Sequence, residues 1–144
     1  MVNKTTLYTF EILQKASEEK SRADKIDYLK KHSNNWALKD VLRGTFDDAV
    51  KWNLPPGKPP YEPATESSHP SNLTQHNKKF AYFIPNGPGA KMAAVKREKI
   101  FLDILESIHP KDADLLVGMI NKKLPIKGIT KKIVQEAFPD LILK

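Results

Sequence analysis

The sequence predicts an all-α protein, a compact bundle of about six helices with one proline-rich, irregular insert. Apolar residues recur at intervals of three and four on both sides of this insert, as they do along the buried face of a helix. Eight of the eleven prolines lie between residues 54 and 88. The length of 144 residues suits one domain with a single core. We therefore expect N-terminal helices in 1–53, the insert in 54–88 and C-terminal helices in 89–144.

Three helices are expected before the insert. Thr5 or Thr6 is expected to cap the first, Ser21 begins a capping signal for the second, and Asn34 or Asn35 precedes the third. The third has the clearest apolar stripe, made by Leu38, Val41, Leu42, Phe46, Ala49 and Val50.

The insert cannot be a continuous helix, because proline lacks a backbone donor and fixes φ. Residues 79–84 are apolar enough to form a short strand or a helical turn. Its aromatic residues Phe80, Tyr82 and Phe83 directly follow Lys78 and Lys79. This pattern suits base stacking, and it also suits rings that anchor the insert to the core.

The C-terminal third again predicts helices. Phe101, Ile104, Leu105 and Ile108 form one apolar stripe. Pro110 suits the first turn of the next helix, which we expect to end at Leu124-Pro125. Thr130 is expected to begin the last helix, and Pro139 to close it.

Composition narrows the class of function. The net charge is +7 and the isoelectric point is near 9.5, which favours a polyanionic partner. No cysteine is present, the start lacks the apolar run of a signal peptide, and no stretch is long enough to span a bilayer. We expect a cytoplasmic protein without membrane contact. The four histidines are scattered and no catalytic motif is evident, so we expect no metal, no cofactor and no enzymatic activity.

The most informative segment is the lysine-rich stretch 122–142. Its turn can bring a glycine backbone against a phosphate and start a helix at a hydroxyl residue, the shape of a helix-hairpin-helix. The alternative is an ordinary helix-helix turn with solvated lysines. The predicted DNA-contacting residues here are Lys122, Lys123, Lys127, Gly128, Ile129, Thr130, Lys131 and Lys132.

A second basic stretch lies at 91–99. It contributes Lys96 and Arg97 to the predicted DNA contacts, as side chains that would follow the same phosphate track. The alternative is a solvated helix face.

The chain resembles the N-terminal DNA-binding domain of ATP-dependent DNA ligases, in particular the short version in T-even phage ligases. Three segments carry the resemblance and cover about two thirds of the chain. The third matches best, since it contains a Gly-x-Ser/Thr turn followed by a helix ending in aromatic-Pro-x-Leu-Ile. The segments comprise residues 10–13 with 25–32, residues 38–46, and residues 114–120 with 128–130 and 138–142.

The resemblance implies a phage-encoded helical domain that grips the backbone of double-stranded DNA across the minor groove, in the cytoplasm of the host cell. Asp140 departs from the family, which has glycine there. No K-x-D-G motif occurs in the sequence, and residues 25–28 lack its glycine, so we expect no nucleotidyltransferase domain. The expected function is therefore non-catalytic DNA binding. The alternative is an adaptor for a phage or host replication or transcription protein, such as a sliding clamp, that contacts its partner through tail 139–144 or the insert.

Overall fold

The computed structural model describes residues 7–55, 57–65, 70–85, 87–89 and 91–141, and within them the protein is all-helical, as predicted. A lone β-bridge joins Ser71 to Ile108. Residues 79–84, for which a strand and a helical turn were both considered, fall largely within a 3-10 helix. The α-helices are α1 (Thr9–Ser17), α2 (Arg22–Lys31), α3 (Trp36–Phe46), α4 (Ala94–Ser107), α5 (Pro110–Ile120) and α6 (Lys131–Ala137), and the 3-10 helices are Leu73–Gln75 and Asn77–Phe83.

Three of the predicted N-terminal caps are confirmed. Ser21 Oγ accepts from the N–H of Asp24 at 3.1 Å, and Asn35 Oδ1 accepts from that of Leu38 at 3.0 Å. Thr130 Oγ1 accepts from the N–H of Ile133 at 3.3 Å. In each case a side chain satisfies a first-turn donor that has no partner within its own helix.

The predicted cap of the first helix is wrong. α1 begins at Thr9, with Tyr8 as the preceding residue, and the N–H of Tyr8 donates to Glu11 Oε1 at 2.8 Å. Thr5 and Thr6, where the cap was expected, lie outside the described residues. The Glu11 carboxylate, and not a threonine hydroxyl, binds the backbone at this helix start, because the helix begins later than the apolar pattern suggested.

The core lies around α5, which packs against α1, α3 and α4. Its residues Leu115, Leu116 and Met119 are fully buried, together with Leu38, Val41 and Leu42 of the predicted α3 stripe. α6 packs against α2, and α2 against α1. None of the helices in the described ranges is long and apolar enough to cross a bilayer.

The connection between α5 and α6 begins earlier than predicted. α5 ends at Ile120 rather than at Leu124-Pro125, because Lys122 takes φ +61° and the N–H of Lys123 returns to the Gly118 carbonyl at 2.8 Å. This left-handed arrangement closes a helix C-terminus. α6 then packs against α2 while α5 packs mainly on α3 and α4, so each helix has different main neighbours.

The insert is anchored by its aromatic residues. Phe83 is fully buried and meets Phe101 of α4 edge-on, with ring centroids 5.3 Å apart. Phe80 is 5 % exposed and lies edge-on to Trp52. The N–H of Asn53 donates to the Phe83 carbonyl. For Phe80 and Phe83 the structure therefore supports anchoring, since buried rings cannot stack on bases.

We expect Gly44→Ala to destabilise the protein, although Gly→Ala inside an exposed helix normally stabilises by about 1 kcal/mol. A Cβ at Gly44 would collide with the Trp52 ring and lie 2.8 Å from Met119 Sδ. Trp52 cannot swing away freely because its Nε1–H donates to the Gly44 carbonyl at 3.0 Å. Overpacking of this kind costs about 1–3 kcal/mol, which urea unfolding would measure. An unchanged or higher midpoint would contradict this packing.

Candidate nucleic-acid interface

The turn before α6 is built on a glycine that the backbone requires. Gly128 has φ +92°, a conformation that residues with a Cβ rarely adopt. Its carbonyl accepts from Lys25 Nζ of α2 at 3.2 Å, and an added Cβ would lie 3.1 Å from that Nζ and 3.6 Å from the Ser17 carbonyl oxygen. The turn is therefore held against the end of α1 and the first half of α2.

The start of α6 presents backbone donors beside this turn. The N–H of Val134 donates to the Thr130 carbonyl at 3.0 Å, and the N–H of Ile133 donates to the Thr130 hydroxyl. The first N–H groups of an α-helix, here those of Lys131 and Lys132, have no partner within the helix. Ile129 is 4 % exposed and belongs to the core, so its side chain is not a DNA contact and only its backbone can take part.

Four of the predicted lysines form a basic surface at the turn. Lys123, Lys127 and Lys132 are exposed, and Lys131 is half-buried with its Nζ 3.6 Å from Asp48 Oδ2. We call these four residues the lysine cluster. Lys25 joins it through the Gly128 carbonyl. Sequence reasoning missed Lys25 as a member because the contact spans 103 positions and leaves no local signal.

Lys122 was predicted to contact DNA, but in the structure its side chain binds backbone carbonyls of the protein. Its Nζ donates to the carbonyls of Gly44 at 2.8 Å and Asp47 at 2.9 Å, so it caps the C-terminal end of α3. Burial lowers the pKa of this ammonium, with opposing contributions from Asp47 and Asp48. A cation held at two carbonyls is poorly placed to follow a phosphate backbone.

Arg97 was predicted to contact DNA, and the structure argues against it. The residue is 7 % exposed, and its guanidinium donates to the carbonyls of Asn53 at 2.9 Å, Met92 at 2.9 Å and Gly89 at 3.5 Å. Its fork geometry suits several carbonyl oxygens at once. Lys96, its predicted neighbour in the interface, is exposed in the first turn of α4, whereas the lysine cluster lies beside α2 and α6.

α6 is fixed to α2 by an ion pair at the surface. The Arg22 guanidinium donates to both carboxylate oxygens of Glu136, which lowers the pKa of Glu136 and raises that of Arg22. Both side chains are half exposed, so the pair contributes little stability. The ion pair instead fixes the position of α6 on α2, because it binds the Glu136 side chain to Arg22.

One side-chain pair resembles part of a catalytic site. Ser71 Oγ lies 2.7 Å from His76 Nε2 and also donates to the Ser107 carbonyl at 3.0 Å. His76 Nδ1 has no hydrogen-bond partner among the described residues, and burial lowers the pKa of this imidazole. A histidine that activates a nucleophile needs a third group to orient it. The pair therefore ties the insert to the end of α4. Within the described ranges, no three histidine or acidic residues form a metal site.

The chain matches the model of a protein family. Searching curated proteins finds no match. A family model matches residues 12–125, from α1 to the link that follows α5, so Gly128 and α6 lie beyond the matched segment. The match covers most of the chain and all of α2 to α5. The protein belongs to the family described as "Family of unknown function (DUF6433)".

Proposed function

We propose that this protein is a non-catalytic DNA-binding protein of the cytoplasm that contacts the backbone of double-stranded DNA with little sequence preference. The observation that carries the proposal is the lysine cluster beside the Gly128 turn. Lys25 of α2 donates to the Gly128 carbonyl in the turn, and Lys131 and Lys132 lie in the first turn of α6, directly after it. The resemblance to the ligase DNA-binding domain, strongest in this segment, supports the same reading.

The mechanism follows from the charges. Each lysine that approaches a phosphate releases condensed counterions, so affinity falls steeply with added salt. The N–H groups of Lys131 and Lys132 can donate to a phosphate oxygen that the lysine side chains attract. Such contacts fix the position of the protein on the duplex but carry no sequence information.

The test is a double charge reversal, Lys131→Glu with Lys132→Glu. We expect the affinity for duplex DNA at low salt to fall by about tenfold or more, and the slope of log affinity against log salt to flatten by about 2. A mobility-shift titration over a salt series measures both quantities.

The matched control is Lys99→Glu with Lys111→Glu, which makes the same change in net charge on α4 and α5. Lys99 gives up only an exposed pair with Asp103, and Lys111 lies in the first turn of α5, where an acid suits the helix dipole. The control is expected to reduce binding much less. Equal losses in the two variants would mean that overall charge, and not the cluster, is responsible.

A second candidate is the protein-interaction adaptor. An apolar cleft of about 310 Å³ beneath the proline-rich segment favours it, lined by Leu54, Pro59, Pro60, Phe101 and Leu102 among others. In the tail, Leu141 packs against the core, while residues 142–144 lie outside the described part. The adaptor would capture a replication or transcription protein, such as a sliding clamp, in a pull-down that survives high salt and nuclease. Capture through DNA binding of the kind proposed would be lost at high salt or after nuclease treatment.

A further inference from the structure

A groove opens at the N-terminal end of α3, next to the C-terminal end of α6. Lys131, at the start of α6, reaches Asp48 just after α3, whereas Phe138, just after α6, lies near Lys39 in the first turns of α3. The two helices therefore run in opposite directions. The groove between them has a volume of about 520 Å³, and its lining includes Trp36, Lys39, Arg43, Phe138, Pro139 and Asp140.

Trp36 is the unusual residue of this groove. It is 61 % exposed, and in the described part of the chain only Val95 is another exposed large apolar residue. Lys39 Nζ lies 4.4 Å from its ring centroid, a cation–π contact that holds one face of the indole. Trp52, in contrast, is held by its hydrogen bond to Gly44 and its contact with Phe80. An indole that is positioned but left exposed is suited to receive a flat partner.

The charges of the groove indicate what that partner is. Lys39 and Arg43 line the groove together with one acid, Asp140. Arg43 also has its Nε 3.8 Å from Asp47 Oδ2 and acts by its charge on the carboxyl of Asp40, but half of its side chain is exposed. A basic rim beside an exposed aromatic ring is the arrangement that binds single-stranded nucleic acid, with the base on the ring and the phosphates on the cations.

The groove also lies within reach of the lysine cluster. α3 has eleven residues and is therefore about 16 Å long, with Trp36 at one end and the Asp48–Lys131 contact just past the other. A DNA strand rises about 3.4 Å per nucleotide, so about five nucleotides cover this distance. One strand can contact both ends.

We propose that the groove binds an unpaired nucleotide, whose base stacks on Trp36 while Lys39 and Arg43 bind the flanking phosphates. This inference rests on the proposed DNA binding and defines its substrate class. The preferred ligand is duplex DNA with a gap or a single-stranded tail, held by the lysine cluster on its paired part and by Trp36 on its unpaired part.

The experiment compares an intact oligonucleotide duplex with the same duplex carrying a single-stranded tail. Trp36→Ala is expected to weaken binding to the tailed duplex by about 5- to 150-fold, the range for loss of one stacked base, and to leave binding to the intact duplex unchanged. Trp36→Phe keeps a ring and is expected to retain most of the affinity. Val95→Ala, which truncates an exposed apolar residue elsewhere, is the control and is expected to have no effect.

Fluorescence gives a second readout. In a Trp52→Phe background Trp36 is the only tryptophan, and an oligothymidine is expected to quench its emission. Absence of quenching, together with equal affinity of Trp36→Ala and the parent for tailed DNA, overturns the inference and assigns the groove to a protein partner. If the intact duplex still binds in that case, the proposed function stands; if neither DNA binds at low salt, the proposed function fails as well.

Discussion

Replacing Arg97 with alanine is expected to lower the free energy of unfolding by about 3–5 kcal/mol. The guanidinium is the partner of the Asn53, Gly89 and Met92 carbonyls, and its removal leaves these oxygens without their charged donor. The loss of the apolar stem adds to this cost, since the side chain is almost fully buried. Urea unfolding followed by circular dichroism would measure the change. It is a large fraction of the stability of a typical domain.

Two further variants make this prediction specific. Arg97→Lys keeps the charge but loses the planar fork, so we expect an intermediate loss of about 1–3 kcal/mol and unchanged affinity for duplex DNA. Lys99→Ala, on the exposed face of the same helix, is expected to change stability by less than about 0.5 kcal/mol. If Arg97→Ala unfolds like the parent protein, the residue does not anchor the insert. If the Arg97→Lys variant is stable but no longer binds DNA, Arg97 contacts DNA after all.

The second large effect is a dependence of stability on pH that comes from Asp112. This carboxyl is fully buried, with Oδ1 accepting from the N–H of Phe10 at 2.8 Å and Oδ2 without a partner among the described residues. Burial raises its pKa to about 6, against the lowering effect of the Phe10 and Thr9 N–H groups and of His109. The folded protein therefore holds a proton that the unfolded chain, with a carboxyl pKa of 3.8, releases.

The sign of the effect follows directly. Between about pH 4 and pH 6 the folded state binds more protons than the unfolded state, so this group makes the protein less stable as the pH rises. The difference between the two pKa values corresponds to about 3 kcal/mol of unfolding free energy. The protein has lost all of this contribution once the pH is above 6. Asp112→Asn keeps an acceptor for Phe10 and cannot ionise. We expect it to remove this part of the pH dependence and to be at least as stable as the parent protein at pH 7.

Unfolding titrations at several pH values between 4 and 7 would test this, because the difference between variant and parent cancels the contributions of the other carboxylates. Asp114→Asn is the matched control, since it makes the same substitution at an exposed carboxylate on the same helix. A parallel pH dependence in Asp112→Asn and the parent protein would show that Asp112 is not the source.

Much of the fold could be predicted because its signals are local. The caps at Ser21, Asn35 and Thr130 act on N–H groups three residues away, and the α3 stripe repeats every three or four residues. A sequence displays such spacings directly. That the described parts of 54–88 contain no α-helix could also be predicted, since proline excludes helix within a few positions.

The remaining features depend on contacts between distant positions. A lysine-rich run such as 91–99 is typical of a solvated helix face, and nothing within it indicates that the carbonyl of Asn53 will meet Arg97. Lys122 occupies a left-handed position where glycine is usual, and the carbonyls of α3 that bind its side chain lie more than seventy residues earlier. The packing of α6 on α2 is similarly remote. The exposed lysines of the candidate site could therefore be named from the sequence, whereas the contact of Lys25 with the Gly128 turn could not.

The anchoring of the insert has an evolutionary consequence. Asn53 and Gly89 bind the same guanidinium, so the chain leaves the bundle and returns to it at one place. Length changes in the mostly exposed stretch 62–65 can then leave the helices in their positions. The same property makes this stretch the natural place to graft a foreign peptide into the chain.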